Sequence, residues 1–349
     1  MKPIAVGDRL IGVGNPCFIV AEIGINHNGD LELAKKTIDA AVEAGADAVK
    51  FQNYRTEDFI SNRKLTYEYF SQGRRVIEAQ YDMFKRCELT PELLQGLKEY
   101  CDLRGIGFHS TPTSKAGVDN LVRLGSALLK NGSDYLTNLP LIAYMGQTGL
   151  PTVLSTGMAT LAEIDDAVRA FRATGNNQLI VLHCTSAYPT PEEEVNLRKI
   201  PTLEAAFGCL VGFSDHTRGC TAAVGAVALG ACWLEKHFTL DKNLPGPDHR
   251  FSADPFELKT LVEAIRSIEK NLGTAAVGPT ATELENRQSF RLSCVAAHEL
   301  PIGHRLVNSD ISFRRPGTGL PPKAQDWLVD RTLKREVASG HIFQPEDFE

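Results

Sequence analysis

Residues that can carry out chemistry recur in this chain at one kind of position, directly after short apolar runs. Glu22 follows Phe-Ile-Val-Ala, Lys130 follows Ala-Leu-Leu, and His237 comes shortly after Cys-Trp-Leu. Eight runs end in this way, and parallel strands that close into a barrel bring their carboxyl ends to one face. The pattern therefore predicts a single polar bowl. Its members include Glu22, Lys50, Gln52, Thr111, Lys130, Ser133, Ser155, Ser186, Ser214, His216, Glu235 and His237.

Two lysines of this bowl, Lys50 and Lys130, indicate an anion site. An ammonium group offsets the charge of a phosphate or carboxylate, and the hydroxyl groups of Ser133, Ser155 and Ser214 can donate hydrogen bonds to phosphate oxygens. The alternative is that each lysine only pairs with a buried carboxylate, because buried lysines are normally paired. Both lysines together with the serines favour a phosphate-bearing ligand.

His216 and His237 end the seventh and eighth apolar runs and indicate a site for a divalent metal. Neutral imidazoles bind such metals, and two of them leave coordination positions for water and substrate, as a catalytic metal requires. Two hydrogen-bonded core histidines are the alternative. The acidic residues Asp215, Glu235 and Asp248 make the two alternatives about equal, because they could bind the metal or orient the imidazoles.

Two other functions stay open for the same residues. Lys130 could form a Schiff base with a carbonyl substrate, as in aldolases that need no metal. Alternatively, the bowl could bind a sugar without turning it over. The presence of both histidines and both lysines argues against a pure binding protein, which would not need a metal.

The elements that must position these residues alternate along residues 18–272, a short β-rich apolar run and then a longer amphipathic segment. Eight such repeats in this length are typical of an α/β fold, the (β/α)8 TIM barrel. An open doubly wound sheet is the alternative, but no run is followed by the GxGxxG turn of nucleotide-binding sheets. The predicted strands are 18–21, 48–51, 107–110, 127–130, 152–155, 179–183, 210–213 and 232–235.

Two connections that follow predicted strands are unusually long, residues 52–90 and residues 239–255. Both leave the face where barrel enzymes build their sites. Long connections at that face more often form lids or substrate walls than filler. We therefore expect both to border the bowl.

The sequence pattern changes after residue 272. Residues 273–286 begin with a Gly-, Thr- and Pro-containing stretch and predict a linker between a barrel of residues 1–272 and a turn-rich module of residues 287–349. Within that module we expect short strands at residues 291–297 and 328–333. A unit this small has a marginal core of its own, so we expect it to dock on another surface.

Composition limits the kinds of ligand that we expect the protein to bind and the cellular compartment in which we expect to find it. The formal net charge is −6, which provides no basic field for nucleic acid or an anionic membrane. The first residues lack the apolar core of a signal peptide, and no apolar run reaches the roughly 20 residues of a membrane span. The eight cysteines are scattered without a CxxC pair, which is typical of free thiols in a reducing cytosol. We expect a cytoplasmic protein.

Segments in order along nearly the whole chain resemble the sialic acid synthase family, which includes legionaminic acid, pseudaminic acid and spore-coat polysaccharide synthases. Residues 21–29, Ala-Glu-Ile-Gly-Ile-Asn-His-Asn-Gly, are similar to the opening motif of these enzymes. Residues 315–319 resemble part of the antifreeze-like domain that the family appends to its barrel. The other matching segments are 49–52, 110–112, 154–158, 182–191, 212–217, 235–239 and 245–249.

The resemblance implies a (β/α)8 barrel with a small C-terminal antifreeze-like (β-clip, SAF) domain. It implies condensation of phosphoenolpyruvate with an N-acetylmannosamine-type aldehyde to a nine-carbon 2-keto acid and phosphate, in surface polysaccharide biosynthesis. It also implies a domain-swapped homodimer in which Arg315 reaches the partner's sugar, and a Mn²⁺ or Mg²⁺ ion on His216 and His237. The implied substrate-binding residues besides Arg315 are Lys50, Gln52, Thr111, Ser133, Ser155, Ser186 and Ser214. The implied catalytic residues are Glu22, Lys130, Tyr188 and Asp248.

Three positions depart from the family pattern. After the fourth strand the family has Lys-Ile/Val-Gly-Ser-Gly-Glu/Asp, whereas here Tyr135 occupies the place of the acid and Asp134 precedes it. Ser186 stands where N-acetylneuraminate-forming members often have Asn. Arg74 and Arg75 lie near the expected position of a sugar-contacting Asn. A diacetamido sugar of the legionaminic or pseudaminic type is therefore a comparable candidate for the acceptor.

Overall fold

The structure is a computed structural model that describes residues 1–349. It divides into two compact units, Met1–Gly273 and Thr274–Glu349. None of its helices combines the length and the apolar character that crossing a membrane would require.

The strands and helices of the molecule are numbered in chain order. The strands are β1 (Ile4–Val6), β2 (Arg9–Ile11), β3 (Phe18–Gly24), β4 (Ala48–Asn53), β5 (Thr66–Ser71), β6 (Arg74–Ala79), β7 (Gly107–Pro112), β8 (Leu129–Asn131), β9 (Thr152–Ser155), β10 (Leu179–Cys184), β11 (Leu210–Asp215), β12 (Trp233–His237), β13 (Ser293–Ala296) and β14 (Ile311–Arg314). The helices are α1 (Leu31–Ala44), α2 (Thr56–Phe59), α3 (Gln80–Arg86), α4 (Pro91–Arg104), α5 (Lys115–Arg123), α6 (Leu139–Gln147), α7 (Leu161–Arg172), α8 (Lys199–Phe207), α9 (Thr221–Ala228), α10 (Pro255–Leu272), α11 (Ala281–Phe290) and α12 (Gln325–Leu328).

The first unit is a barrel of eight parallel strands, β3, β4 and β7 to β12, which confirms the predicted fold class. Neighbours in the sheet follow chain order, and the first barrel strand pairs with both the second and the eighth. Each predicted strand is present, and most extend further at the carboxyl end. Glu22, Gln52 and Thr111 therefore belong to the strands themselves, whose regular backbone fixes the direction of their side chains.

Local signals in the sequence fix where the outer helices begin and end. The Asp30 side chain accepts hydrogen bonds from two backbone N–H groups in the first turn of α1. Gly45 ends that helix with a φ of 85°, a left-handed conformation that glycine adopts without strain. Thr90 caps α4 in the same way as Asp30, with Pro91 in the first turn. Such caps place the buried faces of the helices against the barrel wall.

The interior of the barrel is filled at its amino end. Trp233 is fully buried there and stacks on Phe18 with ring centroids 4.9 Å apart. A Cβ atom at Gly212 would lie 2.6 Å from the Trp233 carbonyl oxygen, so the close approach of β11 and β12 requires glycine. Ile4 and Ile11 of the β1–β2 hairpin join the same apolar cluster, although the sequence did not predict this hairpin. These apolar side chains thus close the barrel at the amino ends of its strands. Its interior is accessible only from the carboxyl ends.

The long connection after β4 consists largely of regular secondary structure. It contains α2, the antiparallel β5–β6 hairpin and α3. The rings of Tyr54, Phe59 and Phe84 pack edge to face within it, with centroids 5.1–5.6 Å apart. This segment, residues 54–87, is called the insert below.

The second unit has its own small core around the antiparallel β13–β14 pair. Buried members of that core include Cys294, Leu306, Leu328 and Phe343. Two turns of the unit share one construction, in which a histidine Nε2 and a backbone N–H contact one aspartate Oδ2 at 2.8–2.9 Å. The residue pairs are His304 with Asp310 and His341 with Asp347.

Two predictions about this part of the chain need correction. Residues 328–333 do not form a strand: Leu328 ends α12, and Leu333 makes only an isolated bridge to Phe348. Leu328 is completely buried, so tertiary packing outweighs the β-rich composition of this run. In addition, α11 begins inside the segment predicted as linker, because Thr280 and Glu283 form a capping box.

Candidate active site

A cavity of about 650 Å³ opens at the carboxyl ends of the barrel strands. Every site residue predicted in the first unit lines this cavity, whereas Arg315 lies in the second unit, where it is exposed. The structure therefore brings the predicted bowl together from all eight strands and their loops. The predicted residues that line it are Glu22, Lys50, Gln52, Thr111, Lys130, Ser133, Ser155, Ser186, Tyr188, Ser214, His216, His237 and Asp248.

Two buried lysines and two buried carboxylates form the centre of the cavity. Lys50 Nζ lies 3.1 Å from Glu22 and 3.3 Å from Glu235. Lys130 Nζ lies 3.8 Å from Glu235 and donates to Ser155 Oγ at 2.7 Å. The lysines thus do pair with carboxylates, as one reading of the sequence held, but they do so inside the cavity. Each ammonium group also donates to a neutral acceptor, Thr111 Oγ1 or the Asn131 carbonyl oxygen, so an anionic ligand would replace some of these contacts.

The two carboxyl groups of this centre titrate differently because their surroundings differ. Burial raises the pKa of Glu22 to about 7, even though Lys50 opposes the shift. Burial acts on Glu235 as well, but Lys130 and Lys50 outweigh it and lower its pKa to about 2. Burial also lowers the pKa of Lys130. At neutral pH Glu235 is ionised, whereas Glu22 can take up or release a proton.

The serine side of the cavity depends on a close turn after β9. Gly157 N–H donates to Ser133 Oγ at 3.0 Å. A Cβ atom at position 157 would collide with the hydroxyl groups of Ser133 and Ser186, so the turn requires glycine. Ser214 Oγ completes the set and lies 3.4 Å from Glu235 Oε1. These hydroxyl groups line the same cavity as the lysines, and Ser155 contacts Lys130 directly, so together they could bind a phosphate group.

The two histidines lie side by side, and their donor groups fit a divalent metal. Their ring centroids are 5.4 Å apart. His216 Nδ1 lies 2.8 Å from the Thr185 carbonyl oxygen, which leaves Nε2 with a free lone pair. His237 Nδ1 is buried without a hydrogen-bond partner, 3.9 Å from Asp248 Oδ2. Burial and the neighbouring His216 hold the pKa of His237 well below its usual range, so its imidazole is neutral.

The side chains of the protein would not by themselves complete the coordination of a metal ion. No group of three or more His, Cys, Asp or Glu side chains converges in an arrangement that could hold a metal ion. The chain thus offers two imidazoles with Asp248 beside them, and water and substrate would complete the coordination, as in catalytic rather than structural sites. Burial raises the pKa of Asp248 to about 6.

An aromatic wall borders the histidines. Tyr188 packs against His216 with ring centroids 4.2 Å apart and the ring planes tilted by 39°. Phe251 lies 5.1 Å from both Tyr188 and His237. Tyr188 is predicted from the sequence, whereas Phe251 is not. The only available signal was its position three residues after Asp248, in a connection expected to border the bowl.

The far end of the cavity is apolar and is formed largely by the insert. Its lining residues there are Ile25, Tyr54, Phe59, Tyr67, Met83 and Phe84. Lys50 and Lys130 are the only lysines or arginines that line the cavity. One end of the cavity therefore suits an anion, and the other suits an uncharged group with apolar surface.

Comparison with known protein families matches both units. The NeuB family model matches residues 37–276, and the SAF domain model matches residues 293–349. The chain is 40% identical over 333 residues to N,N'-diacetyllegionaminic acid synthase of Legionella pneumophila, covering 94% of each chain. It is 34% identical over 346 residues to N-acetylneuraminate-9-phosphate synthase of Homo sapiens, covering 95% of this chain and 96% of that one.

Solved structures agree with these relatives. The sialic acid synthetase of Leptospira borgpetersenii superposes with a TM-score of 0.74 at 36% identity, covering 82% of this chain and 95% of that one. A barrel that matches the NeuB model, followed by a unit that matches the SAF model, is the combination found in this chain, and its relatives are named as sialic acid and legionaminic acid synthases. The chain belongs to the NeuB family.

Proposed function

We propose that this chain condenses phosphoenolpyruvate with an amino-sugar aldehyde to give a nine-carbon 2-keto acid and inorganic phosphate. The observation that most supports this is the shared cavity of Lys50, Lys130, three serines and the two histidines. The lysines and serines suit an anionic phosphate ester, and the histidines suit a divalent cation. Named synthases among the relatives support the same class of reaction.

The residues of the cavity would hold phosphoenolpyruvate before the reaction. Lys50 and Lys130 would offset its negative charge, while Ser133, Ser155 and Ser214 would donate hydrogen bonds to its oxygens. Burial of these groups strengthens each interaction, because little water is present to screen it. The enol carbon C3 would then face the aldehyde of the sugar, which forms the new carbon–carbon bond.

Proton transfer would fall to the carboxyl groups whose pKa values burial raises. When C3 attacks the aldehyde, C2 gains oxocarbenium character and adds water. The resulting tetrahedral centre expels phosphate by cleavage of the C–O bond. Glu22, with a pKa of about 7, suits acceptance of the proton from that water, and Asp248 is the other candidate. A Mn²⁺ or Mg²⁺ ion held by His216 and His237 would supply Lewis-acid polarisation of the aldehyde oxygen.

The shape of the cavity favours one class of acceptor. A sugar 6-phosphate would need a further cation, but only Lys50 and Lys130 line the cavity, and phosphoenolpyruvate would use both. The apolar end instead suits acyl methyl groups and a deoxygenated C6. We therefore propose an unphosphorylated diacetamido sugar of the legionaminic type as acceptor, ahead of N-acetylmannosamine. The 40% identical relative is named for a product of that type.

We also propose a homodimer in which the SAF unit of one chain covers the cavity of the other. Arg315 is exposed in its own unit, forms no ion pair there, and lies 5.2 Å from the Phe290 ring. It is free to contact the sugar's acylamino oxygen in a partner chain. A chain that stays monomeric in sedimentation at assay concentrations while fully active would contradict this arrangement.

Phosphate release from phosphoenolpyruvate tests the proposed reaction and the acceptor together. The assay contains Mn²⁺ and one of N-acetylmannosamine, its 6-phosphate or a 2,4-diacetamido-2,4,6-trideoxyhexose. We expect release with the diacetamido sugar, little with the 6-phosphate, and loss of release when EDTA removes the metal. Release with the 6-phosphate as the preferred acceptor would contradict the acceptor assignment. Release that EDTA does not change would contradict the role of the histidines.

A further inference from the structure

Asp215 and Lys236 form an ion pair behind the two histidines, on the side of the barrel wall away from the cavity. They are register partners at the ends of β11 and β12. Lys236 Nζ donates to Asp215 Oδ2 at 2.7 Å, and both side chains are almost completely buried. Neither residue lines the cavity, whereas the adjacent His216 and His237 do. The pair therefore does not contact the substrates.

The ion pair holds His216 through both of its chain neighbours. The Thr217 N–H donates to Asp215 Oδ1 at 2.8 Å. Lys236 Nζ also donates to the Thr217 carbonyl oxygen at 2.7 Å. Residues 215 and 217 are thus tied to residue 236, which directly precedes His237. This closed ring of hydrogen bonds connects the backbone segments that present the two imidazoles.

Other contacts act on each histidine, and the two are also connected by the backbone pairing of β11 with β12 and by the Tyr188 ring, which lies against both imidazoles. His216 is oriented by the Thr185 carbonyl group, and its own carbonyl oxygen accepts from Thr190 N–H at 2.9 Å. His237 packs against Phe251. Spacing between the imidazoles depends on the strand ends, and charge-assisted hydrogen bonds set such spacing more tightly than apolar contacts do.

We propose that Asp215 and Lys236 are positioning residues that set the spacing of His216 and His237 for a divalent cation. This inference rests on the metal-binding part of the proposed function. Contacts of this kind, one step beyond the ligands, typically change metal affinity by roughly 10- to 100-fold when removed. We expect the barrel to fold without the pair, because neutral side chains of similar volume often replace a buried ion pair without loss of stability.

The test is Mn²⁺ affinity of the full chain without substrates, measured by electron paramagnetic resonance of free Mn²⁺. The double variant Asp215→Asn/Lys236→Met removes both charges and leaves none unpaired. We expect its Mn²⁺ affinity to fall at least roughly 10-fold, while the melting temperature of the metal-free chain changes little. The matched control is Asp47→Asn/Arg266→Met, a pair 3.0 Å apart at the amino ends of the strands, which should bind Mn²⁺ as wild type does.

The outcomes separate this inference from the proposed function. Wild-type protein that does not bind Mn²⁺ would overturn both. Wild-type affinity in the double variant, or an equal loss in the control, would overturn only the positioning role. If the double variant does not fold, Asp215→Glu keeps the charge but lengthens the side chain. We expect weaker Mn²⁺ binding in that variant too, and unchanged affinity would overturn the proposal.

Discussion

Glu22 and Glu235 lie on neighbouring strands, share Lys50, and differ in how many cations face them. Glu235 contacts both lysines, whereas Glu22 contacts only Lys50. That difference sets their pKa values apart, about 2 for Glu235 and about 7 for Glu22. Pairs of acids separated in this way commonly divide structural and proton-transfer roles. In the proposed reaction, Glu235 would keep the lysines fixed and Glu22 would exchange the proton.

The substitution Glu22→Gln tests this division at the level of one residue. Glutamine has the same shape and still accepts a hydrogen bond from Lys50, but it cannot exchange a proton. We expect kcat to fall roughly 100- to 10,000-fold, with the Kd of phosphoenolpyruvate changed only a few-fold. Steady-state phosphate release and calorimetric titration measure the two quantities.

The control for this substitution is Glu269→Gln. Glu269 accepts a hydrogen bond from the Cys17 backbone N–H at 2.6 Å and does not line the active-site cavity. Its loss removes a partly buried carboxylate from the same barrel without touching the reaction. Equal losses of kcat in both variants, or an unchanged kcat in Glu22→Gln, would remove Glu22 from the proton-transfer role.

At the scale of the elements, the sequence pattern predicts the repeated strands of the barrel but not the elements that lie outside this repeat. Apolar runs marked all eight barrel strands, and the residues after them line the cavity. The three-residue strands of the β1–β2 hairpin are too short to show alternation. Residues 328–333 have strand-like composition, but tertiary packing places Leu328 in a helix end.

The aromatic residues of the insert could not be predicted as part of the site for a similar reason. Its aromatic residues are scattered over residues 54–84, and only nonlocal packing gathers them beside the cavity. Phe251 likewise reaches the histidines through folding of the second long connection. Sequence motifs identified the charged and hydroxyl-bearing residues that line the cavity, but gave no signal for the apolar residues that line it.

Phe84→Ala tests the role of the insert in acceptor binding. Loss of part of the aromatic end should weaken contact with the acceptor by about 1–2 kcal/mol, which is roughly a 10-fold rise in its KM. The KM of phosphoenolpyruvate should not change, because the insert does not contact the part of the cavity that contains Lys50 and Lys130. Phe70→Ala is the matched control, since Phe70 lies on the same insert outside the cavity. A similar rise for Phe70→Ala would contradict the assignment.

At the scale of the whole molecule, the two units rely on different means of stability. The barrel has an extensive buried core, whereas the second unit has a small one. The second unit adds hydrogen-bonded aspartates, and Asp347 accepts from His341, Arg335 and the Gln344 N–H. Burial would raise the pKa of Asp347, but these donors outweigh it and hold the pKa below its usual range.

This pKa shift predicts how acid affects the second unit. The stabilisation from Asp347 is complete above the ordinary carboxyl pKa of about 3.9 and is lost as pH falls through the lowered native value. Asp347→Asn should therefore lower the hydrogen-exchange protection factors of residues 335–349 at pH 7 and reduce the further loss of protection at acidic pH. Asp330→Asn, at a carboxylate that is 67% exposed, is the control. Equal effects of the two substitutions would contradict this role.

The reaction itself is tested most directly by the mass of the product. With phosphoenolpyruvate, a 2,4-diacetamido-2,4,6-trideoxyhexose and Mn²⁺, we predict a product equal to sugar plus phosphoenolpyruvate plus water minus phosphoric acid. Lys130→Met should form none, because the phosphate site loses one of its two cations. A product that forms from pyruvate instead, with borohydride trapping of a covalent adduct on Lys130, would contradict the account and assign a Schiff-base aldolase.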